Sequence, residues 1–215
     1  MNHMKQLSKW TKTIAGLAVT LGSTVAISSV AYAAVINGTP GNDSKFGTNG
    51  NDTIKGLAGD DLLNGLGGSD LILGGNNNDT LFGFSANDVL NGEGGNDDLE
   101  GGTGIDAMTG GPGVDRFIYR RLGEGLDIIT DFVPADDTII VGTSFGGGIA
   151  TGTLPANKFR IGSAAADADD RFIYNNATGD LFFDPDGTGV SGQVLVAALS
   201  ANLAITNNDI VVVAT

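Results

Sequence analysis

The sequence predicts an all-β protein whose first half winds as a coil of short parallel strands. Three observations predict it. Aspartates recur every nine residues without a slip, at Asp43, Asp52, Asp61, Asp70, Asp79, Asp88, Asp97, Asp106 and Asp115. Five residues before each stands a glycine, from Gly38 to Gly110, and two residues before each stands another, replaced only by Asn77 and Ala86. Two residues after eight of the nine comes a large apolar side chain: Ile54, Leu63, Ile72, Leu81, Leu90, Leu99, Met108 and Phe117. The first row departs, with Lys45 in that place and Phe46 one step on. A fixed period of this length sets the architecture of the whole segment.

Each nonapeptide reads as a six-residue turn and a three-residue strand. Glycine at two fixed places asks for a positive φ or a close backbone approach. The residues after each Asp include Thr, Ile, Leu, Val and Phe, which suit a strand. Turn and strand alternate into a flattened coil with two nonapeptides per winding, about 4.8 Å from one winding to the next. One apolar side chain in nine points inward and stacks on its counterpart two repeats away.

That stacking gathers carboxylates. Asp43, Asp61, Asp79, Asp97 and Asp115 share one edge, and Asp52, Asp70, Asp88 and Asp106 the other. Unit charges 4 Å apart repel by about 1 kcal/mol even at the dielectric of water, and by more near a protein surface. A file of carboxylates therefore needs cations between its members. Carboxylates and carbonyls in a flexible turn are hard oxygen ligands that suit Ca²⁺, whereas Mg²⁺ wants a tighter octahedron. One ion between successive same-edge turns gives four and three, about seven in all. Without the ions, a segment this rich in Gly, Asn and Asp is expected to be disordered.

The unit G-x-x-G-x-D-x-U-x, with U apolar, resembles the RTX, or haemolysin-type, calcium-binding nonapeptide repeat from Gly38 to Ile118. The resemblance implies a right-handed parallel β-roll with calcium held at the nine aspartates.

Residues 1–33 read as a secretory signal peptide. Lys5, Lys9 and Lys12 form a basic region, an uncharged and mostly apolar stretch follows, and Ala31-Tyr32-Ala33 offers a cleavage site. Three of the eleven basic residues lie there, leaving 8 against 25 acidic ones and a net charge of −17. The β-roll is assigned to 34–119. An end cap and a glycine-rich linker, with Gly142–Gly152 expected to be mobile, follow over 120–152. A small antiparallel β region takes 153–215, where a hairpin is expected from Arg171–Tyr174 and Leu181–Phe183. The pentapeptide Asp115–Tyr119 recurs letter for letter at Asp170–Tyr174, which suggests a related edge strand. The sequence leaves open whether Asp127, Asp131, Asp184 and Asp186 also bind calcium.

The acidic balance argues against nucleic acid and against an anionic membrane surface. The only histidine, His3, lies in the leader and there is no cysteine, so neither a His-based triad nor a histidine zinc site is available. The expectation is a non-enzymatic calcium-binding protein, folded by several calcium ions, with a structural or surface-interaction role. It would be secreted and extracellular, with the periplasm or the cell surface as alternatives. RTX proteins often carry a C-terminal export signal, and the leader at 1–33 leaves the route undecided. The alternative function is a polysaccharide- or surface-recognising accessory module. Only Phe82, Phe84 and Arg116 in the repeats favour it.

Overall fold

The computed structural model describes residues 32–215. All but the last two residues of the expected leader lie outside the described residues. Nine-residue periodicity becomes two facing parallel sheets. One contains β1 (Val35–Asn37), β3 (Thr53–Ala58), β5 (Leu71–Asn76), β7 (Val89–Gly94), β9 (Ala107–Thr109) and β11 (Asp127–Ile129), in that spatial order. The other contains β2 (Ser44–Phe46), β4 (Leu62–Asn64), β6 (Thr80–Ser85), β8 (Asp98–Thr103), β10 (Arg116–Tyr119) and β12 (Thr138–Gly142). The chain crosses from one sheet to the other at every turn. Partners are therefore 18 residues apart, as in Ile54↔Ile72↔Leu90 and Leu63↔Leu81↔Leu99.

The core is the column of inward side chains. Ile54, Leu63, Ile72, Leu81, Leu90, Leu99, Met108 and Phe117 are all fully buried. Burial of each contributes about 1.5–3 kcal/mol. Ile129 and Ile139 carry the column past the last nonapeptide, and Phe132 packs against Phe117 with ring centroids 6.0 Å apart.

The C-terminal part carries the expected antiparallel strands and docks on the coil through two parallel pairings. β17 (Val194–Ala198) pairs in parallel with β11, and β18 (Ile210–Val213) in parallel with β12, so both sheets gain a further strand from it. Antiparallel pairing then takes over. β16 (Asp180–Phe183) lies against β17, and β15 (Phe172–Tyr174) against β16, which is the expected hairpin with register Phe172↔Phe183. β14 (Phe159–Ile161) closes that sheet in parallel with β15, and β13 (Gly152–Thr153) lies antiparallel on β18. The last winding would otherwise expose open strand edges and apolar side chains, so this layer seals the coil.

Two expectations change here. The glycine-rich stretch after β12 is pinned rather than free. A 3₁₀ turn at Thr143–Phe145 sinks Phe145 between Phe172 and Phe183, at centroid distances of 6.2 and 5.3 Å, and Ile149 is buried. The repeated pentapeptide is not an edge strand in either copy. β10 lies between β8 and β12, and β15 between β14 and β16. In the first copy Phe117 and Tyr119 point inward, whereas in the second Phe172, Ile173 and Tyr174 are all buried, because another layer covers that face. Among the described residues no helix is long and apolar enough to cross a membrane.

Candidate metal centre

The repeat aspartates form two files, one along each edge. Within a file, the backbone N–H of one aspartate donates to Oδ1 of the aspartate one winding later. Asp43 donates to Asp61 (2.7 Å), Asp61 to Asp79 (2.8 Å), Asp79 to Asp97 (2.7 Å) and Asp97 to Asp115 (2.9 Å). On the other edge Asp52 donates to Asp70 (2.7 Å), Asp70 to Asp88 (2.8 Å) and Asp88 to Asp106 (2.8 Å). Both files run one rung past the nonapeptides. Asp106 donates to Asp127 (2.9 Å) and Asp115 to Asp137 (3.0 Å).

The residue just before each aspartate makes a counter-running ladder. Asn42 Oδ1 accepts the N–H of Asp60, Asp60 that of Asn78, Asn78 that of Asn96 and Asn96 that of Val114, at 2.8–3.1 Å. The recurring Asn at that place (Asn42, Asn51, Asn78, Asn87, Asn96) was the available sequence signal. Each winding is thus tied by side chains to the winding on either side.

The second carboxylate oxygen is the informative one. Oδ2 of Asp61, Asp70, Asp79, Asp88, Asp97, Asp106, Asp115 and Asp127 is buried with no hydrogen-bond partner. A buried polar atom without a partner costs several kcal/mol in an apolar setting, so eight in two lines call for an occupant. The first glycine of each turn shapes the space beside it. A Cβ on Gly74 would stand 2.5 Å from Asp79 Oδ2 and 2.7 Å from the Gly92 carbonyl oxygen of the next winding. Close approach to oxygen, rather than a positive φ, is what excludes a side chain there. Among the described residues no three His, Cys, Asp or Glu side chains converge. Each slot instead offers a carboxylate oxygen beside backbone oxygen, a hard donor set that fits calcium.

Turns come in two kinds. From Gly56 onward the second turn residue takes a positive φ, even as Leu57 (86°), Leu66 (72°), Phe84 (75°) and Glu93 (70°). The first two turns have threonine there, a β-branched residue that resists that region. They close on themselves instead. Thr39 N–H donates to Asp43 Oδ2, and Thr48 N–H to Asp52 Oδ2, both at 2.5 Å. Asp43 Oδ1 meets the Lys45 ammonium at 3.0 Å. The odd lysine of the first row is therefore a tethered cation in the first described winding, where among the described residues no backbone N–H reaches Asp43 Oδ1. The Asp137 turn is also closed, since Val133 N–H donates to Asp137 Oδ2 at 2.8 Å.

Burial sets the electrostatics. Chiefly by desolvation, it pushes the carboxyls of Asp79, Asp88 and Asp127 up to about 7, and those of Asp70, Asp97 and Asp115 up to about 6. Asp61, Asp106 and Asp137 are raised for the same reason. Asp43 goes the other way, lowered first by the Thr39 N–H and then by Lys45. Without a cation the middle of each file holds charge poorly at neutral pH.

Of the nine aspartates named from the sequence, the structure therefore gives a bare buried oxygen to seven and closes Asp43 and Asp52. Asp131 takes the N–H groups of Gly110 (3.0 Å) and Gly111 (2.8 Å) and acts as a backbone clip. Asp184 and Asp186 accept N–H bonds within their own loop, from Asp186 (3.2 Å) and Ser191 (3.1 Å). On the outer face of the second sheet, Phe82, Phe84, Glu100, Thr103, Arg120 and Arg121 border a hollow of about 260 Å³. Arg116, the other basic residue there, is paired with Asp98.

The chain is similar over 81% of its length, and 80% of the other's, to the solution structure of a subunit of the mannuronan C5-epimerase of Azotobacter vinelandii, at 27% identity and a TM-score of 0.36. It is similar over 85% of its length to the extracellular lipase of Serratia marcescens, spanning 40% of that chain, at 18% identity and a TM-score of 0.30. No curated protein matches it. The family described as the RTX calcium-binding nonapeptide repeat, four copies to a unit, matches at residues 37–72, 46–81, 65–99, 73–108 and 91–118. That match identifies residues 37–118 as calcium-binding nonapeptide repeats of the RTX, or haemolysin, type.

Proposed function

We propose that the protein is a secreted, non-enzymatic module whose coil folds when calcium enters the slots between windings. The observation that carries this reading is the row of bare, buried Oδ2 atoms. Seven belong to the nonapeptides, at Asp61, Asp70, Asp79, Asp88, Asp97, Asp106 and Asp115, which supports about seven ions there. A ligand bound only to the folded state stabilises it by about 1.4 kcal/mol per site at ten times Kd, so seven sites supply roughly 10 kcal/mol, the scale of a whole domain's stability. Secretion is supported by the leader-like residues 1–33, and millimolar extracellular calcium suits sites of about 10⁻⁴–10⁻³ M. The domain boundaries follow: leader 1–33, coil 34–119, and a cap that reaches from 120 to the last strand. Circular dichroism in chelator and in calcium tests it. The expected result is a cooperative gain of β-structure with calcium; full β-structure in excess chelator refutes it.

A second reading, recognition of a polysaccharide or other surface, is favoured by the hollow around Phe82 and Phe84. It sets aromatic faces beside the Arg120–Glu100 pair. A glycan array probed with and without calcium tests that role.

A further inference from the structure

The period of nine stops at Asp115, yet the geometry continues. Residues 122–130 follow the nonapeptide place by place after a three-residue insertion. Gly123 takes the positive φ of the second place (83°). Glu124 accepts the N–H of the fourth-place Gly104 through its carbonyl (2.9 Å), as the third turn residue Pro112 accepts that of the fourth-place Gly95 (3.2 Å). Gly125 forms a bridge to Gly104, and a Cβ on it would collide with the Gly104 carbonyl, as one on Gly104 would with that of Ala86. Asp127 Oδ1 accepts the Asp106 N–H, and Ile129 fills the core place. Leu122 stands where every nonapeptide has glycine, and it packs against the core.

We propose that residues 122–127 form a tenth turn of the open kind, and that it takes a divalent cation of the calcium type on Asp127. This rests on the reading that the bare Oδ2 atoms of the repeats hold calcium. Asp127 is 1% exposed and its Oδ2 has no partner, as at the seven open nonapeptide turns. A neutral oxygen is available that no other turn has. The Tyr119 hydroxyl is buried beside Asp127, near enough to its carboxylate to interact with it. Phenol and carboxylate oxygens are both hard ligands, and an ion between them satisfies both. The eleventh turn marks the limit of the series, since Val133 N–H already occupies Asp137 Oδ2. The site lies outside residues 37–118, and it joins the calcium file to the cap that seals the coil.

Counting bound calcium on the whole chain by equilibrium dialysis at saturation tests this. The parent is expected to hold about eight ions and Asp127→Asn one fewer. An Asp127→Asn chain that folds and holds as many ions as the parent overturns the proposal. A parent that binds no calcium refutes the function proposed above instead, so the two failures are distinct. Should Asp127→Asn not fold, Tyr119→Phe decides. With terbium in place of calcium and excitation through tyrosine, emission should fall several-fold while the ion count changes by one at most. Unchanged emission means that no ion sits beside Tyr119, and the proposal fails.

Discussion

Replacing Asp79 with alanine removes two things at once. Its Oδ1 accepts the Asp61 N–H at 2.8 Å, and its Oδ2 is the carboxylate oxygen of one slot. Loss of a buried bond to a charged acceptor costs about 1.5–3 kcal/mol. Loss of one ion at ten times Kd costs about 1.4 kcal/mol more. The sum, about 3–4 kcal/mol, should lower Tm by roughly 10 °C for a domain of this size. Asp43→Ala is the matched comparison. Both Asp43 oxygens are already met by Lys45 and Thr39, and its own N–H bond to Asp61 survives the change. It should lose no ion and less Tm than Asp79→Ala. Because stability in a stacked array sums over neighbouring interfaces, the central change should also broaden the transition. Titration calorimetry and thermal melts of both variants in calcium decide the matter. Equal ion losses at Asp43 and Asp79 would refute the division into closed and open turns.

Three further outcomes follow from the same geometry. The metal-free coil has carboxyls raised to about 6–7 against an ordinary value near 3.8, so its folded form is favoured while they are protonated and loses that support as pH rises through 6–7. In chelator, β-structure by circular dichroism should be greater at pH 5 than at pH 8, and calcium affinity should fall from pH 8 to pH 5; the opposite trend contradicts the buried-carboxylate account. Thr48→Gly should let the second turn adopt the open form and raise the calorimetric ion count by one, with an unchanged count showing that threonine is not what closes it. Ala86, at φ 79°, should gain about 0.5–1 kcal/mol as glycine. Asn77→Gly should change little, because asparagine tolerates that region; a harmful Ala86→Gly in a chemical melt contradicts the strain argument.

The core and the aspartate files were legible in the sequence because period and chemistry coincide there: Ile54 to Phe117 land on one line, and Asp43 to Asp115 on two. Disguise hid the rest. Leu57, Leu66, Phe84 and Glu93 mask a place with positive φ that glycine would have announced. Insertions of three residues before Asp127 and one before Asp137 break the count of nine, and Leu122 removes a marker glycine, so the tenth and eleventh turns read as ordinary strands. The parallel docking of β17 and β18 joins segments some 70 residues apart, such as Asp127 with Ala197 and Ile139 with Ile210, and no local pattern encodes it. Lys45 read as a blemish in the pattern and is a cation tethered to Asp43.

The side-chain ladders join residues 18 apart, and so fix the quantum in which this coil can lengthen or shorten. Gain or loss of 18 residues adds or removes a whole winding and leaves every file on its own edge. Gain or loss of nine exchanges the edges for everything downstream. β11 and β12 would each meet the opposite sheet, with insertions of three and one residues fitted to the wrong neighbour. Variation in repeat number should therefore survive in even steps, and an odd step should need a rebuilt cap.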